Sequence, residues 1–419
     1  MDLPDEPTWD VIGRLASGGA LSETGHRVVR DLLTDVKTIL GEEFPARTFR
    51  KFRGLPPEFL LSASHRSVLP MFLTFALHLR DAASEPTFRP VLNGAVDGVD
   101  IPAWYHLRLQ LEAARACRAM DVSVTYEPDI PGTDRKADLL VDADRAPWLV
   151  EVTAILRGDA DKSWERYEDA IKRAVRGIEH RHDVNCVVSL DSHPLDAAGD
   201  GGLGRTTEVW LATAERAAAA ARTTRAPQIV RADHGWIAVY PESVPAGTTT
   251  FSGAVQERDG WKRLRRALAG KARQIDGPLP VWVRIDCRDG LFQFTDWPRL
   301  PPPDRIAAMA EAISSDVSWP SCAQGVVLSS GDATSLGATS AEAETVTADT
   351  NQGTFLRRLT APGLLRETVI LPFGPAAHIT AQQWRDAYDK EPQWLDTDLA
   401  AAGMPLLADF WTYGPAAGR

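Results

Sequence analysis

Apolar positions over the first 120 residues recur at three- and four-residue steps, whereas beyond residue 121 short apolar runs alternate with further stretches of helical spacing. Over 22–40, Val28, Val29, Leu32, Leu33, Val36 and Leu40 share one face behind a capping Ser22, which predicts a helix. Helices are also predicted over 68–83 and over 104–120, the latter through Leu107, Leu111, Ala114 and Cys117. Residues 122–126, 137–141 and 148–155 read as strands, with the polar, turn-rich 142–147 closing the last two into a hairpin. The alternation continues with helices over 162–178, 206–223, 260–275, 304–314, 380–390 and 394–402, and strands over 185–190, 235–240, 280–286, 325–330 and 367–373. Segments 46–54, 191–204 and 334–351 read as loops, and no repeat of fixed period is present.

Two positions break this pattern. Asp138 and Glu151 are carboxylates inside apolar strand sequence, one on each arm of the predicted hairpin. Desolvating a carboxylate is costly unless a cation or strong donors compensate it, so a pair on neighbouring strands suggests a divalent metal site. The alternative is a pair satisfied by backbone donors or by basic side chains. The helix before the hairpin carries Glu112 beside its apolar stripe, either as a third acid of the site or as a surface glutamate paired with Arg108 or Arg115.

An acidic strand residue, a hairpin, and Glu-x-Lys on the next strand resemble the signature of the PD-(D/E)XK, or restriction-endonuclease-like, nuclease superfamily. Asp138 stands at the motif aspartate and Glu151 at its Asp/Glu, while Thr153 occupies the lysine position and Ala137 the proline position. The resemblance covers residues 104–190 and extends toward 286. It implies an α/β fold with a mixed sheet flanked by helices. A helical region over 1–100 precedes a core over 101–290 with an insertion at about 191–255, and an α+β extension over 291–419 follows. It further implies Mg²⁺ or Mn²⁺ held by Asp138, Glu151, the Val152 carbonyl and Glu112, with hydrolysis of phosphodiester bonds in DNA or RNA. Related sequences with Glu-Val-Thr take their lysine from a following helix, which points to Lys271 in the segment GKARQ, with Lys172 and Lys136 as other candidates. The resemblance equally covers a catalytically inactive module that binds nucleic acid or a protein partner.

Charge changes this picture. The 419 residues carry a formal net charge of −11, so a nucleic-acid contact must come from a local basic patch. The expected patch is Lys262, Arg263, Arg265 and Arg266, joined by Arg50 and Lys51 from the segment where Arg47, Arg50, Lys51 and Arg53 interleave with Phe49 and Phe52. Four widely spaced cysteines without a CxxC pair argue against a disulfide framework or zinc knuckle and for a reducing cytoplasm. The acidic N-terminus has no signal-peptide pattern, and the most apolar run, 69–79, is too short to span a bilayer.

Overall fold

The computed structural model describes residues 7–16, 21–52, 55–59, 68–98, 101–142, 146–155, 159–190, 203–241, 250–252, 260–275, 277–287, 300–329, 333–334, 345–361 and 364–411. They fold as two compact units, Met1–Leu156 together with Gly260–Arg419, and Arg157–Asp259. Among the described residues no helix is long and apolar enough to cross a membrane.

The first unit opens with helices α1 (Trp9–Ala16), α2 (Glu23–Leu40), α3 (Phe44–Phe52), α4 (Val68–Ala83), α5 (Phe88–Gly98) and α6 (Ile101–Arg118). The cap that the sequence predicts for α2 is present: the Ser22 hydroxyl accepts the Gly25 N–H at 3.0 Å. Strands β1 (Ser123–Tyr126), β2 (Leu139–Asp142) and β3 (Trp148–Ile155) then form an antiparallel meander. The chain leaves for the second unit, through α7 (Asp159–His182), β4 (Asn185–Leu190), α8 (Gly204–Thr224), β5 (Gln228–Ala232), β6 (Gly235–Tyr240) and β7 (Thr250–Ser252). It re-enters the first at α9 (Gly260–Gln274) and β8 (Val281–Cys287), followed by α10 (Pro302–Asp316), β9 (Ala323–Ser329), β10 (Ala333–Thr334), β11 (Val346–Thr350), β12 (Gly353–Ala361), β13 (Leu364–Pro372), α11 (His378–Asp389) and α12 (Trp394–Ala401).

The first unit is built on a nine-stranded mixed sheet of order β1-β2-β3-β8-β9-β13-β12-β11, with β10 on β13. Its centre is parallel, β3 against β8 and β8 against β9, and its flanks are antiparallel. Parallel strands are buried on both faces, which is why WLVEVTAI and VWVRIDC are nearly continuous apolar runs. Val150, Val152 and Trp282 belong to the core shared with the N-terminal helices and α6. Leu149, Ile155, Val283 and Ile285 belong to the core shared with α9 and α10. Successive residues of β3 and β8 thus serve opposite helix layers.

Four expectations are corrected. Residues 46–54 do not read as a loop: through residue 52 they belong to α3, because Phe44, Pro45 and Thr48 bury one helical face and the Thr48 hydroxyl donates to the Phe44 carbonyl at 2.7 Å. Arg53 lies outside the described residues. The insertion begins at 157, not near 191, so α7 and β4 belong to the second unit. The physical reason is that β4 buries only alternate residues, Cys186, Val188 and Leu190, against α7 and α8, as a strand covered on one face does. Residues 346–350, expected within a loop, form β11, an edge strand held by its ladder to β12 and by Val346 and Ala348, which pack half-buried against the core. The described residues of 291–419 do not stand apart as an extension, since β9, β13, β12 and β11 continue the same sheet.

Candidate active site

The ladder between β2 and β3 pairs Val141 with Trp148, Leu140 with Leu149 and Leu139 with Val150. One step further, Asp138 stands beside Glu151, at the point where pairing stops and β3 runs on beside β8. The Val152 N–H that a longer β2 would have bonded is taken by the Asp138 side chain, whose Oδ2 accepts it at 2.7 Å. The sequence thus ends a strand and positions a carboxylate by one hydrogen bond.

Asp138 is held between the two helix layers. On one side its Oδ1 meets His106 Nε2 at 2.8 Å and accepts from Gln110 Nε2 at 3.3 Å, two residues one turn apart on α6. On the other, Lys271 Nζ of α9 donates to Asp138 Oδ2 at 3.3 Å and to Glu151 Oε2 at 2.8 Å. Leu264, Leu268 and Ala272 fix this helix by packing into the core, and Lys271, seven residues beyond Leu264, shares their face. Its ammonium, 14 % exposed at the side chain, lies beside Glu151, which shares its face of β3 with Thr153.

The electrostatics separate the two acids. Burial alone would push the Asp138 carboxyl up, but the His106 hydrogen bond, the Lys271 charge and the Val152 N–H outweigh it and bring it down to about 2. Burial and the neighbouring Asp138 charge push Glu151 up to about 7, against the pull of Lys271. The pair titrates as a unit, with Asp138 ionised and Glu151 carrying the proton that leaves near neutrality. Because this folded value lies above the ordinary 4.5, ionisation of Glu151 removes stability as pH rises from 4.5 through about 7. A carboxyl ¹³C titration should place the Glu151 midpoint near pH 7, and Lys271→Met should move it higher; a midpoint in the ordinary carboxylate range would contradict this electrostatic account.

Once Glu151 has released its proton, two carboxylates face one ammonium and leave an excess of negative charge, which favours a hard divalent cation. Among the described residues, no group of three or more His, Cys, Asp or Glu side chains has the arrangement of a metal site. An ion beside Asp138 and Glu151 would therefore rest on two carboxylates and complete its shell with water or substrate oxygens, as Mg²⁺ commonly does. The donor set fits Mg²⁺ or Mn²⁺ on those terms.

The expected third acid does not join this site. Glu112 lies roughly 120° around α6 from His106, and its Oε1 accepts from Arg284 at 2.6 Å and Arg366 at 2.5 Å. Arg284, fully buried on β8, also donates to the Tyr388 hydroxyl at 2.7 Å, and Arg366 donates to Glu391 at 2.7 Å. Those guanidiniums explain why the Glu112 carboxyl falls to about 2 although burial alone would raise it. Lys172 lies in the second unit, where it pairs with Glu168 at 3.4 Å and Asp169 at 3.7 Å on its own helix, and Lys136 is exposed. The basic positions are not one unpaired surface: Arg265 meets Asp316 at 3.6 Å, Arg50 meets Glu43 at 3.8 Å, and Lys51, Lys262 and Arg266 are exposed, with Arg263 half-buried.

The sequence reading missed His106 and Gln110. Gln110 is 0 % exposed, so a polar pair at i and i+4 inside a buried helix was the available signal. The chain matches no family model, no curated protein and no solved structure.

Proposed function

We propose that the chain is a metal-dependent phosphodiester hydrolase acting on DNA or RNA, a restriction-endonuclease-like nuclease whose lysine comes from α9. The observation that carries this reading is the Lys271 ammonium bridging Asp138 and Glu151, at 3.3 and 2.8 Å. The order helix α6, antiparallel β1-β2-β3, helix α9 and parallel β8 supports the fold assignment.

Bound Mg²⁺ or Mn²⁺ would polarise the scissile phosphate and lower the pKa of an attacking water. Asp138 and Glu151 would hold it. His106, Gln110 and the Val152 N–H fix the Asp138 carboxylate, so the site need not reorganise as charge develops. Lys271 has three donors, two of them directed at the acids, which leaves one for a phosphate oxygen. Near neutral pH Glu151 can release its proton, so ion binding strengthens as pH rises through about 7. Cys117, Cys186 and Cys322 form no disulfide, which suits a reducing cytoplasm.

A second reading, a catalytically inactive nuclease-like module, is favoured by one feature: Asp138 already accepts from His106, Gln110, Val152 and Lys271. Incubating the chain with single- and double-stranded DNA and RNA separates the two. The nuclease gives products only with Mg²⁺ or Mn²⁺, and Asp138→Ala gives none. Calorimetric titration of Mg²⁺ or Mn²⁺ alone should show binding that Asp138→Ala removes; an unaltered chain that binds neither ion and cleaves nothing is the inactive module.

A further inference from the structure

The second unit is a four-stranded sheet, β5-β6-β4-β7, with α7 and α8 sharing a core with one of its faces. Val230, Ile237, Val239, Cys186, Val188 and Leu190 turn toward those helices. Strand alternation puts Asn185, Val187, Ser189, Ile229, Arg231, Trp236, Ala238 and Tyr240 on the opposite face, and the cross-strand register confirms it: Ile229 pairs with Ala238, Arg231 with Trp236, Asn185 with Tyr240 and Ser189 with Trp236.

That face is partly open, and its composition is unusual for a surface. Ile229 is 59 % exposed, Tyr240 41 %, and Arg231 is exposed; Asn185, Val187, Ser189 and Trp236 are half-buried, and Ala238 is buried. Water-facing strand positions ordinarily carry polar or charged residues. Here the outward positions of β6 are Trp236, Ala238 and Tyr240, so two aromatic rings stand on one strand with only a small outward residue between them. The strand rise sets each outward Cα about 7 Å from the next. Arg231 lies directly across from Trp236, and none of these eight positions is acidic, although the whole chain carries −11.

We infer that this face binds single-stranded nucleic acid. Exposed aromatic rings on a sheet give unpaired bases a stacking surface that a base-paired duplex cannot use, and a neighbouring arginine supplies the phosphate contact. Charge complementarity selects this occupant: a face whose eight named positions include a cation and no carboxylate attracts a polyanion, while an acidic chain as a whole repels one. The inference deepens the nuclease reading by naming a single strand as the class of substrate, and it rests on that reading only for the cleavage step.

The test is binding of a fluorescein-labelled, mixed-sequence single-stranded oligonucleotide to the full chain in EDTA, where cleavage plays no part. Trp236→Ala and Tyr240→Ala should each weaken binding by roughly tenfold, the usual effect of removing one stacked ring. Trp236→Phe should retain most of it, which separates lost stacking from lost folding. Arg231→Gln should flatten the dependence of log Kd on log salt by about 0.7, one phosphate contact on a single strand. Absence of single-strand binding by the intact chain, or binding that both alanine variants leave unchanged, overturns the inference, whatever the cleavage assay shows. So does a dimer that Tyr240→Ala dissociates in sedimentation, which would assign the face to a second copy of the chain. Binding in EDTA without cleavage in Mg²⁺ or Mn²⁺ would instead retain this inference and reject the nuclease reading.

Discussion

Replacing Lys271 by alanine will lower the rate of metal-dependent cleavage by about two to three orders of magnitude while leaving the fold intact, the size of effect that follows loss of one preorganised charge at a reacting centre. The ammonium is neither a surface charge nor a core residue. It reaches Asp138 and Glu151 from an apolar helical face that Leu264, Leu268 and Ala272 hold in place without it. In the proposed reaction its contact with a phosphate oxygen would strengthen as negative charge builds on that oxygen, so the loss should fall on kcat more than on KM. Mg²⁺ binding should survive, because both carboxylates remain. Lys172→Ala is the control: its Nζ pairs with Glu168 and Asp169 along its own helix, and cleavage should be unchanged. Full activity in Lys271→Ala with loss in Lys172→Ala would transfer the role to Lys172. Full activity in both would remove lysine from the mechanism.

The acidic pair was legible in the sequence for one physical reason: each is a charge in a place where the local pattern demands an apolar residue. Asp138 leads into Leu139, Leu140 and Val141, and Glu151 stands between Val150 and Val152. Lys271 was reached only through the resemblance, as the lysine of a following basic helix; its place on the face of the buried Leu264 and Leu268 came with the structure. The pair His106 and Gln110 went unread although its i, i+4 spacing was available, because α6 also carries Arg108, Glu112, Arg115 and Arg118, and a polar pair does not stand out among them. What sets Gln110 apart is its complete burial, which only the structure shows. Glu112 was singled out correctly as unusual and placed wrongly. Its partners Arg284 and Arg366 are 172 and 254 residues away in sequence, and no local spacing reveals a contact of that kind. The boundary of the second unit was lost in a similar way. The alternation in β4 says that one face is covered, but not by which helices.

Those distant partners make Glu112→Ala the second large effect, and it should appear in stability rather than in chemistry. Glu112 Oε1 is shared by two guanidiniums, one on a fully buried arginine and one on an arginine only 8 % exposed at its side chain. Removing it leaves Arg284 with the Tyr388 hydroxyl and the Ile285 carbonyl as its described hydrogen-bond partners. Arg366 then keeps Glu391 at 2.7 Å and Asp286 at 3.7 Å. Breaking a buried ion pair by removing one partner costs about 3–5 kcal/mol, and with Glu391 and Asp286 still beside Arg366 the loss should fall at the lower end of that range. The denaturant midpoint of the first unit should drop accordingly, with Glu112→Gln in between because an amide oxygen can still accept. The pH dependence follows from the sign of the shift. The folded carboxyl is lowered to about 2 from an ordinary 4.5, so its contribution is present above 4.5 and is lost as pH falls through 2. The gap between Glu112→Gln and the unaltered chain should therefore be widest near neutrality and close in acid. Cleavage per folded molecule should stay within a few-fold, since Glu112 faces Arg284 and Arg366 rather than Asp138. A collapse of kcat in Glu112→Gln with stability unchanged would return Glu112 to the metal site.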